Sequence, residues 1–364
     1  MYDYLIVGAG MFGSVFAREM TDAGAKCLVV DKRNHIGGNC YTEDREGIHV
    51  HKYGAHIFHT NNKEVWDYVN KWASFNAYRH HLKVTSGKDV FSFPINMMTL
   101  HQLWSVKSPE EAIKKLDEVR IPIENPSNLE EWILSQVGEE IYKKFIQGYT
   151  KKQWGREPKT LPSSIIKRIP IRLTYNDGYF DDTYQGIPVG GYTQIFDKML
   201  NGIPIELGVD FVKEKDRLDI LSKKIVYTGA IDELFDYQLG VLDWRSLEFE
   251  EEEMSGDYQG VSVMNYAEEK IPYTRIIEHK HFDFKKFGHT VITREYPKKW
   301  ERGDNKIYPV NNDKNNNLHL QYKKMVDDRY ILGGRLANYR YYDMHQVLAA
   351  ALTASRREID GRRI

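Results

Sequence analysis

The apolar residues near the start of the chain change from one periodicity to another. The stretch DYLIVGAG at 3–10 contains a short continuous apolar run, which is typical of a strand buried in a parallel sheet. In the next stretch, apolar residues from Phe12 to Met20 recur at helical spacing, and Gly24 is placed to end the helix. A second buried strand is predicted in AKCLVVD, which ends on the acidic residue Asp31. Together these stretches predict a β-α-β unit.

The centre of the chain combines helical and strand-like patterns. Residues 98–155 are predicted to be helical, with a serine cap before proline in SPEEAIKKLDEV and an asparagine cap in NLEEWILSQVGEEIYKKFIQGY. Residues 165–190 and 244–310 carry short segments rich in β-branched and aromatic residues, which favour antiparallel strands. KKIVYTGAID and RYILGGRL resemble strands that return to the first domain, and a terminal helix follows.

Composition and charge narrow the function classes. Lys and Arg total 51 and Asp and Glu total 52, so the net charge of −1 gives no reason to expect a nucleic-acid-binding protein. An anionic ligand would have to be bound by locally placed arginines. The two cysteines, Cys27 and Cys40, rule out a disulfide scaffold and suit a reducing cytoplasm. No apolar run approaches the ~20 residues that span a bilayer, so we predict a cytoplasmic protein without a membrane span.

Gly8, Gly10 and Gly13 form the pattern G-x-G-x-x-G between the first predicted strand and the first helix. The first glycine allows a tight turn, the second lets the backbone approach a pyrophosphate, and the third lets helix and strand pack closely. The N-terminus of the helix then faces the phosphates with its partial positive charge. Asp31 ends the second strand, where an acidic side chain can accept hydrogen bonds from ribose hydroxyls. The sequence therefore predicts dinucleotide binding.

Further glycine pairs indicate which dinucleotide is bound. Gly37 and Gly38 follow shortly after Asp31, and a GGR triplet lies at 333–335, an arrangement typical of FAD proteins of the glutathione-reductase type. The alternative is two ordinary turns, because glycine pairs are common in turns. Asp343 is placed to cap the helix MHQVLAAAL, whose positive end would stabilise negative charge on a reduced flavin ring.

Four histidines lie within HVHKYGAHIFH at 49–59, where they could bind a metal, line a flavin or do neither. Zinc would find nitrogen ligands here at plausible spacing. No CxxC, HExxH or carboxylate cluster accompanies them, so histidines without a metal are the simpler interpretation. Because the stretch follows the FAD-binding opening, we predict that His56 and His59 line the isoalloxazine ring and that no metal is bound.

Eight longer stretches are more specific than any single motif. In them the chain resembles UDP-galactopyranose mutases of the bacterial type, and they occur in the family's order: HIGGN, HKYGAHIFHT, GYTKKQWG, IIKRIP, YQGIPVGGYT, YTRIIEHKHF, YPVN and GGRLANYRYYDMHQV. The resemblance implies FAD as cofactor and the interconversion of UDP-galactopyranose and UDP-galactofuranose for bacterial surface polysaccharides. It also implies attack of N5 of reduced FAD on the anomeric carbon, with no net redox.

The resemblance assigns roles to individual residues. Arg168 and Arg275 would bind the pyrophosphate, Tyr149 would stack on uracil, and Trp154 would lie on a mobile segment that closes over the sugar. The catalytic group would be Arg168, Arg275, Trp154 and His59. The further substrate contacts would be Thr150, Tyr179, Arg245, Asn265, Tyr308, Tyr341 and Tyr342. The cofactor contacts would be Gly8, Gly10, Phe12, Gly13, Asp31, Gly38, Asn39, His56, Ile57, Arg335, Asp343, Met344, His345, Gln346 and Val347.

The predicted fold class is α/β: a Rossmann-like FAD-binding domain of the glutathione-reductase type with an inserted helical bundle and an antiparallel β-sheet domain. The expected boundaries are 1–78, 190–243 and 315–364 for the FAD-binding domain, 95–165 for the helical bundle with the mobile substrate segment, and 79–94, 166–189 and 244–314 for the sheet domain.

Two questions about function stay open in the sequence. A flavin oxidoreductase of the amine-oxidase type would share the FAD-binding opening, but it would not need paired arginines and an aromatic platform for a nucleotide. The stretches 80–93 and 107–128 resemble the family less than the rest of the chain does. This leaves open whether the site accepts an N-acetyl group at C2 of the sugar. We further expect a homodimer, an external reductant such as NAD(P)H, and no nucleic-acid partner.

Overall fold

The computed structural model describes residues 1–167 and 169–362. The strands are β1 (Tyr2–Val7), β2 (Cys27–Asp31), β3 (Thr42–Arg45), β4 (Ile48–His51), β5 (Phe58–Thr60), β6 (Leu82–Ser86), β7 (Asp89–Phe93), β8 (Tyr184–Gly186), β9 (Ile205–Leu207), β10 (Ser222–Tyr227), β11 (Trp244–Ser255), β12 (Val263–Tyr266), β13 (Arg275–Glu278), β14 (His289–Lys299), β15 (Tyr308–Pro309) and β16 (Tyr330–Leu332). The α-helices are α1 (Met11–Asp22), α2 (Lys63–Asn70), α3 (Met97–Trp104), α4 (Pro109–Val119), α5 (Leu129–Ile141), α6 (Gly148–Trp154), α7 (Ser164–Lys167), α8 (Thr193–Leu200), α9 (Lys215–Asp219), α10 (Ile231–Leu234), α11 (Asp313–Lys324), α12 (Gly334–Ala337) and α13 (Met344–Arg362). A π-helical segment spans Tyr142–Gln147, and short 3₁₀ helices span Gly38–Cys40, Pro158–Thr160 and His279–Phe282.

The chain divides into two units that are each assembled from separate stretches. The first unit comprises Met1–Ala77, Asp182–Arg245 and Trp300–Ile364, and the second comprises Tyr78–Asp181 and Ser246–Lys299. The regions that the sequence places in a helical bundle and in a sheet domain therefore share the second unit. The exceptions are 182–189, 244–245 and 300–314, which belong to the first unit because β8 pairs with β5 and the start of β11 pairs with β15.

A parallel sheet with the strand order β16-β10-β1-β2-β9 forms the centre of the first unit. Its middle strand β1 places Tyr4 opposite Lys224 of β10 on one side and opposite Cys27 of β2 on the other. Leu5 and Val30 are fully buried, as expected for strands that are covered on both faces. The predicted β-α-β unit and the predicted returning strands are therefore confirmed.

Helices cover the sheet of the first unit. On one face, α1 packs against α13 and α8, and the fully buried Phe16, Met20 and Phe196 lie in the core that they form. On the other face, Leu5 and Leu28 pack with Phe211 and other apolar residues. Within 1–167 and 169–362, no helix combines the length and apolar character that crossing a membrane requires.

The second unit contains a mixed sheet, with the order β11-β14-β13-β12-β6-β7. The pairs β6–β7, β12–β13 and β13–β14 are antiparallel, whereas β6 and β12 are parallel. The prediction of an antiparallel sheet is therefore wrong at this pair. Between β6 and β12 the chain passes through β7, the helices of the second unit, the stretch Asp182–Arg245 of the first unit and β11. So long a connection lets the chain re-enter the sheet in the same direction, which a short hairpin could not do.

Helices α4 and α5 of the second unit begin at the predicted caps. Ser108 Oγ accepts a hydrogen bond from Glu111 N at 3.2 Å, and proline follows the cap directly. Asn128 Oδ1 accepts one from Glu131 N at 3.0 Å and starts α5. Gly138, with a φ of +75°, interrupts α5, so the helix predicted across this stretch is broken there. Beyond it the helical path continues through the π-helical segment into α6.

The prediction of strands at 165–190 is largely wrong. Helix α7 occupies its start, and among the described residues of this stretch only β8 is a strand. Between them, isolated backbone bonds replace a ladder: Arg172 N donates to Ile95 O at 2.9 Å, and Met97 N donates to Thr174 O at 3.0 Å. Pro170 lacks an N–H group, which interrupts strand pairing despite the β-branched residues nearby.

Candidate functional site

The glycine loop of the first unit brings backbone atoms closer together than side chains would permit. Gly8 has a φ of +112°, and a Cβ there would lie 2.0 Å from Thr228 Oγ1. A Cβ on Gly13 would lie 1.9 Å from the carbonyl oxygen of Gly8, so α1 can pack on β1 only with glycine here. Gly10 and Gly38 approach each other so closely that a Cβ on Gly38 would lie 3.0 Å from Gly10 Cα. The result is a cradle lined by backbone.

The start of α1 suits an anionic group. Gly10 is its N-cap residue, no side chain caps the helix, and the first turn carries no acidic residue. The N–H groups of the first turn and the partial positive charge of the helix can therefore serve a phosphate. Asp31 accepts hydrogen bonds from Ala9 N at 2.7 Å and from Arg33 N at 2.9 Å. A carboxylate has further acceptor positions, so Asp31 can accept hydrogen bonds from a ribose while it keeps these two backbone contacts.

Two other predicted cofactor residues border the same loop. Asn39 Oδ1 accepts a hydrogen bond from Arg33 Nη2 at 2.9 Å. The ring of Phe12 lies directly against Gly333, where a Cβ would come within 2.1 Å of Phe12 Cε1. The C-terminal GGR triplet thus packs on the first turn of α1. These residues fit the adenosine and pyrophosphate portions of a dinucleotide.

The histidine-rich stretch forms β4, a turn and β5. His51 is buried, and its Nδ1 accepts a hydrogen bond from His56 N at 3.1 Å. Burial lowers the pKa of His56 to about 4, although a hydrogen bond to Gly54 O opposes the shift. His56 is therefore a neutral ring at neutral pH. Ile57 follows it and is also buried.

His59, Asp182 and His345 form a chain of polar side chains in the first unit. His59 Nδ1 lies 2.7 Å from Asp182 Oδ2, and the rings of His59 and His345 are 4.9 Å apart in an edge-to-face arrangement. Burial, followed by the proximity of His59, lowers the pKa of His345. Its Nδ1 is buried and has no hydrogen-bond partner among the described residues. One ligand atom each of His59, His345 and Asp343 lie within 4.8 Å of one another, a spacing that could hold a metal. That no metal binds stays a prediction.

The N-terminus of α13 is fixed by reciprocal contacts. The carbonyl oxygen of Asp343 accepts hydrogen bonds from Gln346 N at 3.0 Å and Val347 N at 3.1 Å. In return, Gln346 Oε1 accepts one from Asp343 N at 3.0 Å, which is the backward half of a capping box. Met344 and Val347 pack against the core of the first unit. The helix therefore starts where the sequence predicts it.

The structure brings five predicted residues together at another edge of the first unit. Tyr308 and Tyr341 stack with their ring centroids 6.1 Å apart. The guanidinium of Arg335 lies 5.3 Å from the ring centroid of Tyr341 and donates to the carbonyl oxygen of Tyr342 at 2.7 Å. Arg245 is opposite Tyr308 in the β11–β15 ladder, and burial lowers its pKa. Two arginines, the rings of Tyr308 and Tyr341 and the backbone of Tyr342 thus lie close together.

In the second unit, Arg275 lies between a phenol and a carboxylate. Its Nη2 donates to Tyr149 Oη at 2.5 Å, and its Nε lies 3.2 Å from Oε2 of the buried Glu295. Asn265 is opposite Arg275 in the β12–β13 ladder, and its Oδ1 is buried without a hydrogen-bond partner in the described part of the chain. Asn265, Arg275 and Tyr149 thus converge, although Tyr149 is far from both in sequence.

The other predicted residues of the second unit occupy α6 and the loop before β8. Thr150 is buried in α6, and Trp154 is the last residue of this helix. Tyr179 N donates to His80 O at 2.7 Å, and the two rings are 5.4 Å apart. Arg168 lies outside the described residues, so its position is not assigned.

Two residues of this arrangement, Asp182 and Glu295, are absent from the sequence-based prediction. Asp182 contacts the predicted residue His59, and Glu295 contacts the predicted residue Arg275. Neither belongs to a motif whose spacing indicates chemistry, and an acidic residue by itself is normally a solvated surface group. Only burial identifies Glu295, which is 2% exposed.

Comparisons with known proteins agree with this geometry. A family profile described as UDP-galactopyranose mutase matches residues 144–341, and one described as an NAD(P)-binding Rossmann-like domain matches residues 6–72. The dTDP-fucopyranose mutase of Escherichia coli is 39% identical, over 97% of this chain and 97% of its own length. The probable UDP-galactopyranose mutase of Klebsiella pneumoniae is 40% identical, over 96% of this chain and 92% of its own.

A solved structure supports the same relationship at the level of the fold. The crystal structure of a reduced UDP-galactopyranose mutase superimposes with a TM-score of 0.76 at 18% sequence identity, covering 99% of this chain and 94% of that one. The predicted α/β fold class is thereby confirmed. The profile match over residues 144–341 and the 40% identity over nearly the whole length show that this chain belongs to the UDP-galactopyranose mutase family of isomerases.

Proposed function

We propose that this mutase interconverts UDP-galactopyranose and UDP-galactofuranose, with FAD bound by its first unit. The observation that carries the proposal is the pair of Arg275 and Tyr149 in the second unit. A guanidinium can hold a diphosphate and an adjacent aromatic ring can stack on a base, so the pair suits a nucleoside diphosphate. The family to which the chain belongs supports a nucleotide-sugar substrate.

The residues of the first unit fit FAD. The backbone cradle of Gly8, Gly10 and Gly38 would admit the pyrophosphate, and the uncapped start of α1 would bind its charge. His56 and the start of α13 would line the flavin ring, where the positive end of the helix favours a negatively charged ring. Bound in its reduced form, FAD would supply N5 as a nucleophile for the anomeric carbon, and the reaction would then involve no net redox.

The chain's own residues would bind and orient the substrate. Arg275 donates a hydrogen bond to Tyr149 and lies beside the carboxylate of Glu295, so its planar guanidinium would meet the diphosphate from a position that these contacts already favour. Holding the diphosphate also keeps the leaving group beside the sugar for recapture after ring opening and closure. The proposed roles of the other residues are phosphate binding by Arg168 and by the phenols of Tyr179, Tyr308 and Tyr341, and closure over the sugar by Trp154.

A second candidate substrate is dTDP-fucopyranose. The relative named dTDP-fucopyranose mutase is 39% identical and matches this chain over 97% of both lengths. The two substrates differ by a methyl group on the base, by the 2′-hydroxyl of the ribose and by the 6-hydroxyl of the sugar. All of these groups lie away from the anomeric carbon and the diphosphate, so the same catalytic arrangement could serve either substrate.

One experiment tests the cofactor, the substrate and the reaction together. Protein reduced with dithionite is incubated with UDP-galactofuranose, UDP-galactopyranose, UDP-N-acetylgalactosamine or dTDP-fucopyranose, and the products are resolved by chromatography. We expect interconversion with UDP-galactose, none with the oxidised protein, and no stoichiometric consumption of reductant. Exclusive turnover of dTDP-fucopyranose would select the second candidate. Equal activity of the oxidised protein would refute the mechanism through reduced FAD, and one reductant consumed per product would identify an ordinary flavin oxidoreductase.

The physiological setting is proposed from the resemblance. Galactofuranose would be made in the cytoplasm for a surface polysaccharide, by a homodimer that an external donor such as NAD(P)H keeps reduced. Sedimentation at micromolar concentration and reduction of the bound flavin by NADPH are direct tests of the last two statements.

A further inference from the structure

Lys152 makes an unusual set of contacts in the second unit. Its Nζ lies 2.8 Å from Tyr266 O, 2.9 Å from Ile271 O and 2.9 Å from Tyr273 O. An ammonium group has three N–H donors and no acceptor, so three carbonyl oxygens match its hydrogen-bonding capacity. Tyr266 is the last residue of β12, and Ile271 and Tyr273 lie in the turn that joins β12 to β13. A lysine of α6 therefore binds the backbone of this turn.

A second contact between α6 and the same turn does not depend on Lys152. Gly148, the first residue of α6, approaches the turn so closely that a Cβ there would lie 2.4 Å from Ala267 O and 2.9 Å from Glu269 N. Backbone thus packs directly on backbone at one end of the helix. The close backbone packing that glycine permits at position 148 and the hydrogen bonds of the Lys152 ammonium both connect α6 to the β12–β13 turn.

These contacts frame the predicted nucleotide-binding residues. Tyr149 directly follows Gly148 and lies three positions before Lys152, a spacing that places Tyr149 and Lys152 on neighbouring parts of one helix face. The turn is flanked by Asn265 on β12 and Arg275 on β13, which are opposite each other in the ladder. The 2.5 Å hydrogen bond from Arg275 to Tyr149 joins the helix to the strand. Any slip of α6 along the turn would separate these two groups.

The neighbouring lysine shows that Lys152 is not an ordinary surface lysine. Lys151 pairs with Glu157 and Glu269, and all three side chains are substantially exposed, so these ion pairs contribute little. Lys152 is partly buried, and desolvation lowers its pKa to about 8 although Glu268 and Glu269 favour the charged form. Burial of this ammonium group is tolerated because its N–H donors are hydrogen-bonded to the three carbonyl oxygens.

We propose that Lys152 is a positioning residue: by binding the carbonyl oxygens of the β12–β13 turn, it fixes α6 so that Tyr149 and Arg275 are preassembled to receive a nucleoside diphosphate. The inference rests on the proposed function, because it assigns these two residues to the nucleotide. Lys152 does not itself contact the substrate in this account. Its removal should therefore weaken nucleotide binding and leave the reaction of bound substrate largely intact.

The test compares Lys152→Met with the matched control Lys151→Met, each as the full-length FAD-loaded protein. UDP affinity is measured by titration calorimetry, and kcat and KM are measured with the reduced enzyme. For Lys152→Met we expect the Kd for UDP and the KM each to rise by about tenfold or more, with kcat within about threefold of the wild type, because misplacement of binding groups is costly. Lys151→Met should bind UDP within about twofold of the wild type, as expected for an exposed ion pair.

Two further variants separate positioning from a general loss of folding. Ethylammonium added to Lys152→Ala should restore UDP binding, which it could not do for a protein that is misfolded elsewhere. Gly148→Ala disturbs the same contact from the other side and should reproduce the rise in Kd even if Lys152→Met folds poorly. Wild-type affinity in both Lys152→Met and Gly148→Ala, or a fall in kcat at unchanged Kd, would overturn the inference. Failure of the wild type itself to bind UDP or dTDP would instead refute the proposed function.

Discussion

Arg275 provides the most direct test of where the diphosphate binds. In the structure its guanidinium contacts Tyr149 Oη at 2.5 Å and Glu295 Oε2 at 3.2 Å, so its position is set before any ligand arrives. A charge-assisted hydrogen bond contributes about 1.5–3 kcal/mol, and every ~1.4 kcal/mol is a factor of ten. Loss of the phosphate contact together with the orientation of C1 should lower kcat/KM by about 100-fold in Arg275→Ala.

The same substitution has a separate effect on stability. Glu295 is 2% exposed, and Arg275→Ala removes a cation beside its carboxylate. Breaking a buried ion pair by removing one partner typically destabilises a protein by about 3–5 kcal/mol. An activity loss could therefore be confused with unfolding. The double variant Arg275→Ala/Glu295→Gln also removes the charge of the buried carboxylate and should recover part of the thermal stability without recovering activity.

The assay is steady-state turnover of UDP-galactofuranose by the reduced enzyme, at a temperature well below the Tm of each variant. Bound FAD and Tm are measured on the same preparations. Arg294→Ala is a matched control, because this arginine lies on the neighbouring strand β14 but pairs with the partly exposed Glu250 and Glu252. We expect its kcat/KM to stay within about threefold of the wild type. Wild-type turnover in Arg275→Ala would show that the diphosphate binds elsewhere.

Three other predictions follow from the fold and the site. Replacing Gly10 with valine should abolish FAD binding by blocking the backbone approach to the pyrophosphate; acid-released FMN, or no flavin in the wild type, would contradict the cofactor assignment. Chelators should leave turnover unchanged, because the histidine-rich stretch is assigned to the flavin; stoichiometric zinc in washed protein would overturn that assignment. Burial disfavours the charged form of Glu278, but hydrogen bonds from His281 and from the amides of Gln259 and Tyr258 outweigh it and lower its pKa to about 2. The charged form of Glu278 therefore stabilises the fold fully above the ordinary pKa of 4.5, and this stabilisation is lost as the pH falls towards 2. The Tm difference between the wild type and Glu278→Gln should shrink as the pH is lowered, and a constant difference would refute this prediction.

The elements that the sequence predicts well are those whose determinants are local. The strand, glycine turn and helix at the N-terminus follow from adjacent residues, and so do the caps at Ser108 and Asn128. The parallel pairing of β6 with β12 does not, because it depends on how the chain returns after a connection that runs through the helices of the second unit and part of the first unit. The β-branched residues between 165 and 183 likewise predict strands, but among the described residues of this stretch no strand forms. Local propensity favours an extended chain there, but the described residues of this stretch pair only through an isolated bridge between His81 and Gly178 and single backbone bonds such as Arg172 N to Ile95 O.

Residue types in the candidate site can be predicted from motifs, whereas their partners cannot. The string GYTKKQWG identifies Tyr149 as a nucleotide contact through resemblance, but nothing in it indicates that Tyr149 receives a hydrogen bond from Arg275, 126 positions away. That contact exists because Gly148 lets α6 touch the β12–β13 turn and Lys152 binds the carbonyl oxygens of the turn. Both interactions are made to backbone atoms, so they do not require a particular side chain on the turn. The sequence of the turn could therefore vary without moving the binding residues, provided that glycine and lysine are kept on the helix.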